Sequence, residues 1–126
     1  VFASILRRRP PAILAIGCAL LLAGASPAAA HAILIRSTPA IGASVAAGTV
    51  SLDLHYNSRI DAGRSRLTLI RADRSTTTVP ILPTDAPDAL RAQVALTPGS
   101  YVVRWQVLAT DGHITRGDVP FTVTGP

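Results

Sequence analysis

From Ala32 onward the hydrophobic positions recur in short β-branched runs separated by clusters of Pro, Gly, Asp and Ser, and no segment sustains a helical period. The pattern predicts an all-β domain with strands over 33–36, 50–56, 66–72, 76–81, 90–96, 100–110 and 119–124. Seven strands with turn signals between them point to a Greek-key β-sandwich or barrel. Two runs fix which faces turn inward. Tyr101, Val103, Trp105, Val107 and Ala109 alternate with Arg104, Gln106 and Thr110, so the Trp105 face is the inner one. Val50, Leu52, Leu54 and Tyr56 alternate with Ser51, Asp53 and His55, which places the second set toward solvent; Phe121 and Val123 alternate with Thr122 and Thr124 in the same way. The stretch 80–88, with Pro80, Pro83, Asp85, Pro87 and Asp88, reads as a surface loop.

Residues 1–30 follow a different logic. Arg7, Arg8 and Arg9 precede an apolar stretch over 12–25, and Ser26, Pro27, Ala28, Ala29 and Ala30 follow it. This is the order of a secretory signal peptide. The apolar stretch is about fourteen residues long and ends at a helix breaker, whereas a bilayer span needs about twenty, so a retained anchor is the weaker reading. Pro10 and Pro11 after the arginines depart from the usual twin-arginine pattern, and the sequence does not choose between general and twin-arginine export. Cleavage after Ala30 leaves one domain, 31–126, in the periplasm or elsewhere outside the cytoplasm, with His31 as its first residue. Cys18, the single cysteine, would leave with the leader. A lipoprotein reading of Cys18 is weaker, because the strongly apolar Ala19 to Leu22 would then follow the lipid.

Charge adds little. The formal net charge is +5, but three of the twelve basic residues are the leader arginines, so 31–126 is close to balanced and gives no argument for nucleic acid. The absence of any methionine constrains the chemistry more.

A first-residue His31 would offer a free α-amine and an imidazole Nδ1 from one residue, which together close a chelate ring on a metal. With an ordinary pKa of about 7.7 to 8.0, that amine yields its proton to a strongly polarising metal near neutral pH. Asp111, Gly112 and His113 follow the long Trp105 strand, and i, i+2 spacing in extended chain puts carboxylate and imidazole on one side. Three nitrogens and one oxygen in tetragonal geometry favour Cu(II), or Ni(II) on similar grounds, and Cu(II) leads the divalent series in affinity. Without Met, and without Cys after cleavage, a thiolate or thioether Cu(I) site is excluded, and with it a blue-copper centre. Each half of the motif alone is commonplace: an Asp-Gly-His is usually a turn with a surface histidine.

Asp53 and His55 repeat the i, i+2 spacing in mid-strand with no third ligand near in sequence. A solvated surface pair is the stronger reading there, and a weak second metal site the weaker. Arg64, Arg66, Arg71 and Arg74 read as a solvated face around one hairpin, and Tyr56, Tyr101 and Trp105 as core. No Ser/His/Asp or Cys/His pattern suggests a nucleophile.

His31 and Ala32, the turn Ser37, Thr38, Pro39, Ala40 and Gly42, the strand from Leu52 to Tyr56, Pro98, Gly99 and Tyr101, and then Val103, Trp105, Val107, Asp111, Gly112, His113, Gly117, Phe121 and Val123 together resemble the CopC family. Its members are bacterial copper-resistance proteins, small exported β-sandwiches of cupredoxin-like topology. The resemblance implies a Cu(II) site made by the amino-terminal His with its amine and by the closing Asp and His, here His31, Asp111 and His113. Some members also hold Cu(I) in a Met-rich loop, which would fall over 71–79. Arg74, Ser75, Thr76, Thr77 and Thr78 stand there instead, so the chain resembles the Cu(II)-only branch. The resemblance further implies copper buffering, or delivery to a CopD-type inner-membrane protein carried on a separate polypeptide. Two rivals predict different behaviour. A small copper monooxygenase would need a flat, larger substrate platform, and a metal-free immunoglobulin-like binding module would be indifferent to the first residue.

Overall fold

The computed structural model describes residues 31–125. The leader expected over 1–30 lies outside the described residues. Eight strands follow in chain order: β1 (Leu34–Thr38), β2 (Ser44–Ala46), β3 (Gly48–Tyr56), β4 (Ile60–Arg71), β5 (Thr76–Val79), β6 (Ala89–Leu96), β7 (Gly99–Ala109) and β8 (Ile114–Thr124). They form a three-stranded sheet in the order β1-β3-β6 and a five-stranded sheet in the order β2-β8-β7-β4-β5. The fold is the expected all-β sandwich, with no helix among the described residues.

Period-two alternation builds the core. Val50, Leu52, Leu54 and Tyr56 of β3 face Leu67 and Leu69 of β4 and Tyr101, Val103, Trp105, Val107 and Ala109 of β7 across the sandwich, and all are buried. Val119, Phe121 and Val123 close the same cluster from β8. Among the described residues this core draws on positions from Ala32 to Val123.

The strand count is eight where the hydrophobic pattern predicts seven. The additional strand, β2, is three residues long, too short to display an alternation, and pairs in parallel with β8 through Ser44↔Thr122, Val45↔Val123 and Ala46↔Thr124. Two strands also start earlier than their apolar runs. The first half of β4 shows no apolar alternation, and its ladder to β7 is interrupted between Asp61 and Arg66, beyond which Ile60 and Asp61 pair with Ala109 and Leu108. The first half of β8 hides because its inward positions are Thr115 and Gly117 rather than aliphatics.

Gly117 has a specific reason. It lies directly opposite Trp105 in the β7–β8 ladder, and a Cβ built on it would stand 2.3 Å from Trp105 Cζ2 and 2.6 Å from Cε2. The indole therefore occupies the space that any side chain here would need. Tyr56 meets the same indole edge-to-face, with ring centroids 5.3 Å apart. Burial pushes the Tyr56 phenol well above its ordinary pKa.

The 80–88 segment is a surface connection, as its prolines suggest, but it is tied down. Leu82 bridges to Arg91, Tyr56 N donates to Asp88 O at 2.8 Å, and Ile60 N donates to Pro87 O at 3.0 Å. Among the described residues no helix is long and apolar enough to cross a membrane.

Candidate metal centre

The turn joining β7 to β8 is built by two backbone bonds, Gly112 N to Ala109 O at 2.9 Å and Ala109 N to His113 O at 2.8 Å. Gly112 sits at φ 93°, in the left-handed region that glycine enters at least cost. This bend brings Asp111 and His113 to the same side. The His113 backbone N–H donates to Asp111 Oδ1 at 3.1 Å, and His113 Nδ1 lies 2.8 Å from Asp111 Oδ2. The backbone N–H of His113, followed by its side chain and then the charges of His113 and His31, holds the Asp111 carboxyl below the usual carboxylate range. Asp111 is thus a well-maintained anion at an exposed turn.

His31 arrives from a distant part of the sequence. Its ring meets the His113 ring edge-to-face, with centroids 4.8 Å apart and planes at 79°. The arm that carries it is anchored immediately behind: the Ala32 side chain is buried to 1% exposure, and its carbonyl accepts a 2.6 Å bond from Thr115 Oγ1 of β8. One residue on, Ile33 N donates to Asn57 Oδ1 at 2.8 Å and Asn57 N donates to Ile33 O at 3.0 Å. The three residues singled out in the sequence therefore meet in series, His31 against His113 and His113 against Asp111.

Among the described residues no three His, Cys, Asp or Glu side chains converge as a ready-made metal cluster. The donors present are two imidazoles and one carboxylate, all borderline or hard, with no soft sulfur among them. With Nδ1 of His113 facing Asp111, Nε2 is the ring nitrogen left free to bind a metal. A metal on Nε2 would stand across the ring from this contact, so Asp111 reaches the same metal only when its contact with Nδ1 opens.

Asp53 and His55 differ in kind. They are half-buried on the outer face of the three-stranded sheet, His55 opposite Arg36 of β1 and Asp53 opposite Arg91 of β6. His55 Nε2 lies 3.0 Å from Asp53 Oδ1, and its Nδ1 faces Arg36 Nη2 at 3.4 Å. Both ring nitrogens have neighbours, and those flanking the pair include arginines, a poor setting for a cation. The cross-strand arginines were not legible from the local i, i+2 spacing, because they belong to other strands. Thr115 and Asn57 were also missed as site residues, since neither type nor spacing distinguishes them from ordinary strand-end residues.

A family profile described as the CopC domain matches residues 34–124. The chain belongs to the CopC family. Among solved structures, CopC from Methylosinus trichosporium OB3b superposes with a TM-score of 0.67 at 28% identity, covering 75% of this chain and 95% of that one. PcoC, a methionine-rich copper resistance protein from Escherichia coli, follows with a TM-score of 0.63 at 26% identity, covering 75% of this chain and 100% of that one. Protein YobA of Escherichia coli K12 is 29% identical over 100 residues, which cover 75% of this chain and 79% of YobA. CopC family proteins are copper-binding resistance proteins and not enzymes, which removes the monooxygenase reading.

Proposed function

We propose that this chain is an exported carrier that holds one Cu(II) as cargo, through the α-amine and Nδ1 of a processed His31 together with Asp111 and His113. The observation that carries this reading is the meeting of the His31 and His113 rings, with centroids 4.8 Å apart, and of Asp111 Oδ2 with His113 Nδ1 at 2.8 Å. Side chains far apart in the sequence supply two imidazoles and a carboxylate, and a free amine at residue 31 adds the donor that a side-chain cluster alone lacks.

The Cu(II)-only branch fits better than one with a second, Cu(I) site. The chain has no methionine, and the β4–β5 hairpin, where a Met-rich loop would fall, presents exposed Thr76, Thr77 and Thr78. With neither thioether nor thiol in the processed domain, copper would be held without redox cycling at a sulfur-ligated centre. Buffering the periplasm, or passing Cu(II) to a CopD-type inner-membrane protein, is the role that follows.

Electron paramagnetic resonance of protein beginning at His31, loaded with one equivalent of Cu(II), tests the site. The expected spectrum is that of tetragonal copper with three nitrogen donors, changed by Asp111→Ala and by His113→Ala. A spectrum indifferent to both substitutions would place the copper elsewhere.

A further inference from the structure

The residues that place His31 are as specific as the donors themselves. An amino-terminal ligand has no preceding chain to fix it, so its position depends on what grips the two residues after it. Here those residues are gripped from both sheets. Asn57 lies one position beyond the last β1–β3 pair, Leu34↔Tyr56, and continues that ladder in an altered form. Its backbone N–H reaches Ile33 O, while its side-chain Oδ1, in place of a backbone carbonyl, takes the Ile33 N–H. From the five-stranded sheet, Thr115 Oγ1 reaches the Ala32 carbonyl at 2.6 Å, and Ala32 itself fills a buried pocket in the core.

Thr115 stands two residues after His113, and Ala32 one residue after His31. A single side-chain bond thus ties together the two elements that carry the imidazoles, across 83 positions of sequence.

We propose that Thr115 and Asn57 are positioning residues for copper: they clamp the Ala32–Ile33 arm so that the ring and amine of His31 are presented to His113 before the metal arrives. This rests on the proposed site at His31, Asp111 and His113. Preorganisation of this kind lowers the ordering cost of binding. Loss of the Thr115 bond should weaken Cu(II) binding by about three- to tenfold, the range that one net hydrogen bond supplies.

The test compares Thr115→Val, Thr115→Ser, Asn57→Ala and the unsubstituted protein, all beginning at His31, by competitive Cu(II) titration, copper resonance spectrum and thermal midpoint without metal. Thr115→Val and Asn57→Ala should weaken binding and broaden the copper spectrum, and Thr115→Ser, which keeps the hydroxyl, should restore both. A lower thermal midpoint with unchanged affinity and spectrum would show a purely structural role and overturn the proposal. A second readout does not depend on copper. Nuclear Overhauser contacts between the His31 and His113 rings in metal-free protein should be present in the parent and Thr115→Ser and lost in Thr115→Val. If the parent shows the ring contacts but fails to bind Cu(II), the functional reading falls and the clamp stands. If the contacts persist in Thr115→Val, the clamp falls.

Discussion

Asp111 grips His113 twice, once at the backbone N–H and once at ring Nδ1, so the carboxylate fixes both the turn and the orientation of the imidazole that follows it. A ligand whose second nitrogen is held by a carboxylate is oriented and made more basic toward a metal, and loss of such a partner commonly costs 10- to 100-fold in affinity.

Asp111→Ala should therefore weaken Cu(II) binding by at least about tenfold, because it removes the carboxylate that orients His113 and that can turn from Nδ1 to the metal. Asp111→Asn separates the two, since it keeps an acceptor for the His113 backbone N–H but loses the charge. Competitive titration should rank the parent tightest, Asp111→Asn intermediate and Asp111→Ala weakest.

His55→Ala should leave both affinity and stoichiometry unchanged, at one Cu(II) per chain. His55 faces Asp53 on one side and Arg36 on the other, and Arg91 stands across from Asp53. A drop in stoichiometry on this substitution, measured by equilibrium dialysis, would establish a second site.

Gly117→Ala should destabilise the fold by about 1 to 3 kcal/mol, the usual cost of overpacking, because the added Cβ would fall within 2.3 Å of Trp105 Cζ2. For a domain of this size each kcal/mol lowers the thermal midpoint by about 4 to 8 °C. The near-ultraviolet dichroism of Trp105, the single tryptophan, should change with it.

Asp118 and Arg104 make a two-pronged pair on the outer face of the five-stranded sheet, with bonds of 2.8 and 3.0 Å. The Arg104 guanidinium holds the Asp118 carboxyl below its ordinary range. A carboxyl depressed in the folded state contributes stability above its unfolded pKa, about 3.9, and loses it as pH falls through the folded value. Both side chains are largely exposed, so Asp118→Asn should cost about 0.2 to 1 kcal/mol at neutral pH. Chemical denaturation of both proteins from pH 7 downward should show that difference shrinking toward zero in strong acid.

The sandwich was legible where one face of a strand is continuously apolar, as in Tyr101 to Ala109 and Val50 to Tyr56, because burial on one face imposes the period of two. It was illegible where pairing rather than burial makes the strand. β2 exists through a three-residue parallel register with β8, and the early part of β8 carries Thr115 and Gly117 inward, one for a hydrogen bond and one to seat an indole. Asp111 and His113 could be read from their spacing, and the structure sets them against each other. His31 could be read only by supposing a cleavage. Thr115 and Asn57 carry no local signature, since their partners Ala32 and Ile33 are distant in the sequence.

The most direct test is a Cu(II) titration of two proteins that differ by one residue, one beginning at His31 and one carrying a single additional alanine before it. The extra residue turns the His31 nitrogen into a peptide amide while leaving Asp111, His113 and the core as they are. Cu(II) binding through the terminal amine predicts that the extended protein binds more weakly by at least about tenfold and loses one nitrogen donor from its copper spectrum. Equal affinity and identical spectra would contradict it.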